Sequence, residues 1–474
     1  MILNNRSILL FSVLICIPLI YLMNAHGLTI GLLSIFILVG LITVFLSLYK
    51  YQIGLYITTA LGFLVFTLNR LIYQDIPWGT IIELLLFSST IGMLISQKLN
   101  NKQLGPYFKK PFTIIFSIYL FYMLISVANP ELSSKSGWIS EIKRILSLYC
   151  FFLLIYIGLD NVREHYKYAR FLITLSLIAA AYGCYQQFFG FADFELNYIQ
   201  QSELRKNLLF MISGVKRKFS LFSDPSSFGI TMAVTSGILV ALIAQSKINR
   251  TSVFYILFMG ISLLGMAFSG TRTAYLAFAA GTVFFLLLTI NKLATRVLGI
   301  FFLIGFAFIM VVPIYSNQTL NRVRSAFDFD NEASLNVRNV NRKSIQPYML
   351  THPFGGGLGT TSGNGLKNNP NHYLAGFETD SGYLKISTEL GWIALILLLV
   401  LYYSILAEGL HVYFNTDKQE IKILISCCLV CIFIFTVAQF AQVAIGQFPD
   451  SFLFYGSASI ILKTSLNLPQ NKIT

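Results

Sequence analysis

The chain has 474 residues, of which 55% are hydrophobic and 11% charged, with a mean hydropathy of +0.69 and a formal net charge of +14. That composition excludes a soluble globular protein and predicts an all-α, polytopic bundle of membrane-spanning helices. The basic excess fits membrane anchoring as well as an anionic ligand, and no nucleic-acid motif accompanies it, so no nucleic acid partner is expected.

Apolar runs long enough to cross a bilayer, about 17–25 residues each, fall in chain order at 7–23, 28–48, 53–69, 78–96, 112–128, 144–159, 168–189, 226–245, 252–268, 273–290, 297–315, 384–406, 421–444 and 451–462. About fourteen spans are therefore expected, within a range of roughly 12–14. The first follows Asn4-Asn5-Arg6 and looks like a signal segment, but no small-x-small cleavage site precedes the second run, so an uncleaved first helix is expected. The chain divides into N-terminal spans 1–190, an outer basic loop 191–225, central spans 226–315, a large outer loop 316–383 with short helices and catalytic elements, and C-terminal spans 384–474.

Alternate short loops hold Lys98, Lys102, Lys109 and Lys110, then Arg163, Lys167 and Arg170, then Lys247 and Arg250, Lys292 and Arg296, and Lys418 and Lys422. The positive-inside rule makes these loops cytoplasmic, and an even number of spans puts both termini with them. Two outward segments break the charge rule. One carries Arg205, Lys206, Lys216, Arg217 and Lys218, the other Arg322, Arg324, Arg338, Arg342, Lys343 and Lys367. Long loops translocate whatever their charge. Their cations read either as a solvated surface near anionic head groups or as an anion site assembled from both loops and Arg272.

Arg272 stands in Ser269-Gly270-Thr271-Arg272-Thr273, a gap too short for a loop between two spans. A guanidinium held at the membrane boundary is expensive and marks function, with an anion as its partner. Ser223-Asp224-Pro225-Ser226 signals a helix start, with a capping side chain and a first-turn proline, whose amides would welcome an anion beside Arg217. In the large loop, 335–349 reads as a surface helix on which Arg338 and Arg342, four residues apart, share a face, with Pro347 weakening its end. Adjacent guanidiniums fork onto the oxygens of a diphosphate. The following His352-Pro353-Phe354-Gly355-Gly356-Gly357-Leu358-Gly359 turn lets backbone approach a ligand but lacks the lysine of a nucleotide loop, which excludes an ATP site.

Other signals are weaker. Cys16, Cys150, Cys184, Cys427, Cys428 and Cys431 fall inside spans and read as packing residues, and neither they nor Asp328 and Asp330 make a metal motif, so neither metal nor cofactor is expected. Trp78 and Trp138 read as interface aromatics, and Glu83 calls for a partner on a neighbouring helix. His26, His165 and His411 lie in short loops and carry no functional expectation, and His352 reads as structural.

Four blocks taken together resemble the O-antigen ligase and polysaccharide polymerase superfamily: Arg217 with Phe222-Ser223-Asp224-Pro225-Ser226, then Ser269-Gly270-Thr271-Arg272, then Arg338 followed by His352 to Gly359, then Asp380-Ser381-Gly382-Tyr383-Leu384 running into Glu389-Leu390-Gly391. The resemblance covers a little over a third of the chain, from Lys216 to Trp392. It implies an inverting, metal-independent membrane glycosyltransferase of the bacterial inner membrane that uses polyprenyl-diphosphate-linked glycans as donor and acceptor on the outer face. Arg217, Arg272 and Arg338 would hold the diphosphate with help from Arg342. Glu378, His372 and Tyr383 are expected to contact substrate. Ligases carry a histidine where this chain has Asp380, which favours a polymerase acting on O-antigen, capsular or exopolysaccharide repeat units over a ligase that transfers glycan to lipid A core. Asp380 would serve as base, orient an arginine or bind sugar hydroxyls, with His372 as the alternative base. A flippase and a chain-length regulator are the expected protein partners. The alternative of another class is a lipid-linked glycan flippase or anion transporter, which would show inverted repeats and charges deep in several spans.

Overall fold

The structure, a computed structural model, describes residues 28–72, 76–132, 134–201, 210–212, 215–246, 249–314, 317–327 and 333–467. Its helices, in chain order, are α1 (Leu28–Tyr49), α2 (Tyr51–Leu71), α3 (Trp78–Leu99), α4 (Pro111–Ile125), α5 (Lys135–Gly158), α6 (Val162–Phe189), α7 (Asp193–Gln200), α8 (Pro225–Gln245), α9 (Arg250–Ser269), α10 (Arg272–Leu288), α11 (Leu293–Val311), α12 (Gln318–Ser325), α13 (Ala333–Thr351), α14 (Ser362–Asn368), α15 (Gly382–Asn415), α16 (Gln419–Ala438) and α17 (Asp450–Leu466). A short antiparallel ribbon of β1 (Met211–Ile212) and β2 (Val215–Lys216) completes the described elements.

The protein is a polytopic membrane helical bundle. Every expected apolar run except 7–23, which lies outside the described residues, is matched by a helix, and among the described residues nine helices are long and apolar enough to cross a membrane. Intrahelical bonding is what lets such segments satisfy their backbone in lipid. The outward apolar surface of α11, with Phe301, Leu303, Ile304 and Phe308 exposed, is what a lipid-facing helix presents. Between helices lipid supplies no hydrophobic drive, so contact is built on small residues. The nearly wholly buried α8 lies against α9, α10 and α16, and a methyl group at Gly237 or Gly281 would collide with Ile434 of α16.

Three boundaries differ from expectation. α16 ends at Ala438 and not at 444, leaving 439–449 as a loop whose turn is held by the Gln439 side chain, which accepts from the Ala444 amide at 2.8 Å and the Ile445 amide at 3.1 Å. α15 starts at Gly382 but is interrupted at Gly391, whose φ of +76° is left-handed, so a short segment precedes the spanning helix. α13 continues through Pro347 to Thr351, because the carbonyl of exposed Lys343 left without its amide partner can turn to water.

The charges of α5 are answered within the bundle. Glu83 meets Lys143 at 3.1 Å, and buried Glu141 pairs with Arg144, accepts from Asn364 at 3.0 Å and faces Lys385 at 3.5 Å. The up-and-down alternation of the spanning helices puts the end of α4 and start of α5, the end of α6 and start of α8, the α9–α10 turn, the end of α11 and start of α15, and the end of α16 and start of α17 on one face, hereafter the loop face.

Candidate functional site

The site is built around the turn between α9 and α10. Gly270 takes φ +60°, closing α9 in a left-handed cap, and Arg272 opens α10 directly behind it. The carbonyls at the end of α9 are the negative end of its dipole and attract cations. Two arginines use them: Arg217 donates from Nε to the Ser269 carbonyl at 2.8 Å, and Arg322 donates from Nε to the Gly270 carbonyl at 3.1 Å. Arg217 also donates to Thr271 Oγ1 at 2.8 Å, and that hydroxyl donates to the Pro225 carbonyl at 2.9 Å, tying the turn to the start of α8.

The segment carrying Arg217 is fixed from below. Phe219 and Phe210 pack with Ile199 in a small core of their own, and Arg70 at the end of α2 stacks over Phe219 at 4.3 Å while donating to the carbonyls of Ser220 and Phe222. Arg70 is thus a buried clamp, not a ligand contact. Lys218 is spent on the Phe191 ring at 4.6 Å.

Arg217, Arg272 and Arg322 line one cavity of about 420 Å³ with Lys216, Gln187 and Asn321. Its described lining contains no carboxylate. Burial pushes the Arg217 guanidinium down to about 10, Asp224 works against that shift, and the charges of Arg322 and Arg272 add to it. The group remains charged at neutral pH but sits among repelling neighbours, a repulsion that a bound anion relieves. Burial also lowers Arg322. Among the described residues no side chain caps the start of α10, whose dipole presents its positive end beside the Gly270 turn.

Arg338 on α13 is half-buried, and its charge acts on Arg272. Arg342, one turn further, stacks over Phe440 at 4.5 Å and donates to its carbonyl at 3.0 Å, fastening α13 to the 439–449 loop. The amides at the start of α8, expected to await an anion, are instead capped by Asp224, which accepts from Ser226 at 2.8 Å and Ser227 at 3.1 Å. Arg205, Lys206, Asp328 and Asp330 lie outside the described residues.

Asp380 precedes Ser381, the cap of α15, and its Oδ2 is buried with no hydrogen-bond partner among the described residues. Ser381 and Gly382 bind the Gln439 carbonyl at 3.1 and 3.0 Å, so the mouth of α15 abuts the end of α16, and α10 packs on that same helix. Asp380 and Arg272 therefore stand at loop-face ends of helices separated by one neighbour, with no direct contact between them described. Glu378 is exposed. Tyr383 donates to the Thr436 carbonyl at 2.8 Å and packs on Tyr402, which turns its hydroxyl into the bundle.

His372 belongs to a different cluster. Its Nε2 lies 3.5 Å from Glu131, its Nδ1 accepts from the Leu374 amide at 3.0 Å, and burial holds the imidazole below its usual range with Glu131 opposing. His352 also faces Glu131, at 3.1 Å. Since α13 rises about 1.5 Å per residue, the Arg338 and His352 positions are separated by about 20 Å.

Two functional candidates were not singled out by sequence reasoning, Arg322 standing there only as one of the outer-loop cations. Arg322 and Arg324 are two residues apart and so point about 200° apart on α12: Arg322 lines the cavity, while Arg324 donates to the Ile309 carbonyl at 2.7 Å and the Ile314 carbonyl at 3.2 Å, closing the end of α11. Glu389 is buried with Oε1 accepting from Thr361 and Oε2 unsatisfied among the described residues, beside a small, mainly apolar cavity that Glu141, Arg144 and Lys385 also line. Only the Glu389-Leu390-Gly391 block marked it, and no chemistry distinguished it there.

No curated protein matches the chain. The family model described as O-antigen ligase matches residues 256–399, a stretch holding Arg272, Arg322, Arg338 and Asp380. That match supports a ligase- or polymerase-type, glycosyltransferase-like function in polysaccharide biosynthesis, with lipid-linked glycan substrates and a membrane setting. The matched stretch, 256–399, takes in three of the four motif blocks that resemble the O-antigen ligase and polysaccharide polymerase superfamily.

Proposed function

We propose that this protein polymerises polyprenyl-diphosphate-linked oligosaccharide repeat units into O-antigen, capsular or exopolysaccharide, by inverting and metal-independent transfer on the outer face of the bacterial inner membrane. The observation that carries this reading is the cavity at the α9–α10 turn, where Arg217, Arg272, Arg322 and Lys216 converge with no carboxylate among the described lining residues. At about 420 Å³ it falls in the usual range of ligand clefts.

In this reading Arg217, Arg272 and Arg322 bind the donor diphosphate, and Arg338 approaches from α13. The acceptor hydroxyl oxygen attacks the anomeric carbon on the face opposite the diphosphate, and the bond from that carbon to the phosphate oxygen breaks with its electrons leaving on the diphosphate. Negative charge grows on that leaving group, and preplaced guanidiniums stabilise it. Asp380 takes the proton of the acceptor hydroxyl. Its buried, unsatisfied oxygen favours it over His372, whose ring is engaged on both nitrogens.

Purified protein given lipid-linked repeat units is expected to produce a ladder of glycans in the presence of a chelator and without ATP. A requirement for a divalent ion, or no elongation at all, overturns the mechanism. The family description favours a second reading, ligation of finished glycan onto lipid A core. Offering both acceptors separates the two: a single transfer to the core without a ladder selects the ligase.

A further inference from the structure

We infer that Tyr373 and the ring stack beneath it form a glycan-binding platform, distinct from the arginine cavity, that receives a pyranose ring of the sugar chain. This rests on the transferase reading above. Tyr373 is 68% exposed, yet its ring is held flat on Tyr348, with centroids 5.1 Å apart and an interplanar angle of 17°. Tyr348 in turn stacks on His352 at 4.0 Å and 11°. Below the stack the Tyr348 hydroxyl donates to Glu131 at 2.6 Å, while His352 and His372 face the same carboxylate.

An isolated exposed tyrosine rotates freely and gives up that freedom on binding, whereas this one is pre-ordered by the two rings stacked behind it and their anchoring carboxylate. A flat, rigid aromatic face suits the apolar C–H face of a sugar ring, and polar groups at its rim suit the hydroxyls. Glu131, about one-third exposed beside it at 32%, supplies carboxylate oxygens as acceptors. Tyr348, the ring beneath Tyr373, lies about 15 Å along α13 from Arg338, the reach of a short oligosaccharide, so a chain whose diphosphate sits among the arginines can lay a more distant sugar on Tyr373. The stack would then set how firmly the glycan is held between additions.

The test uses the full-length protein in detergent and the diphosphate-free oligosaccharide released by mild acid from the cell's own lipid-linked repeat unit. Binding to wild type, Tyr373→Ala and Tyr373→Trp is measured by saturation-transfer NMR titration. Tyr373→Ala is expected to weaken binding about five- to tenfold and to shorten the product ladder, with Tyr373→Trp restoring both. Equal binding by wild type and Tyr373→Ala, or no binding by wild type, overturns the platform. Failure of the transferase reading registers separately, as the absence of any ladder from wild-type protein, because the titration needs no turnover.

Discussion

Arg272→Lys is expected to cut ladder formation by about 10²- to 10³-fold while leaving expression and membrane insertion intact. Lysine keeps the positive charge, so a role limited to surface electrostatics would survive the change. It loses the planar fork that engages two phosphate oxygens at once, and a guanidinium is also the more weakly hydrated cation at a half-buried position. Arg272 opens α10 in the turn that Arg217 and Arg322 hold from either side, so its loss leaves the turn's own hydrogen bonds in place. The rate of repeat-unit addition, measured on protein that elutes as a single species, decides the matter. Activity within a few-fold of wild type removes Arg272 from the reacting centre.

Gly391→Ala is the second large effect, and it acts on the scaffold. Gly391 holds φ +76° at the kink of α15, and a Cβ there would lie inside contact distance of the Pro353 carbonyl oxygen, which already accepts from the Trp392 amide at 3.1 Å. The strained conformation alone costs an L-residue about 1–3 kcal/mol, before the collision is added. The same kink carries the carbonyls of Thr388 and Glu389 that receive Gly356 at 2.9 Å and Gly357 at 2.8 Å. Displacing it loosens the glycine-rich turn as well as the start of α15. A fall in melting temperature of about 5 °C or more, with reduced ladder formation, is expected in thermal unfolding of the detergent-solubilised protein. An unchanged melting curve would show that the turn and the helix are not coupled through this residue.

The spans were readable because a bilayer imposes length and apolarity together, and the helices from α1 to α17 that match the apolar runs do so for that reason. Their ends were less readable. The loop-face half of α5 carries Lys135, Glu141, Lys143 and Arg144, which look like loop residues until Glu83 and Lys385 are brought in from other helices. The break in α15 was hidden because Glu389-Leu390-Gly391-Trp392 continues the apolar pattern, and only the packing of Pro353 against Gly391 exposes it.

Arg217 and Arg272 stood out through their positions at helix mouths, and they line a common cavity. Arg322 could not be told from Arg324 by charge or context, because their roles diverge through the angular step of a short helix and not through composition. Tyr383 and Arg342 drew notice for their chemistry, but their nearest partners are the Thr436 carbonyl and Phe440, contacts between segments far apart in the chain. Side chains that fold back on distant backbone are invisible to local pattern.

The most direct measurement of the central claim is an electron cryomicroscopy structure of the protein with a non-hydrolysable polyprenyl diphosphate bound. Density for the diphosphate is predicted between Arg217, Arg272 and Arg322 at the α9–α10 turn, with Arg338 drawn toward it. Diphosphate density elsewhere on the molecule, with those three guanidiniums unmoved and in contact with no phosphate oxygen, would contradict the account.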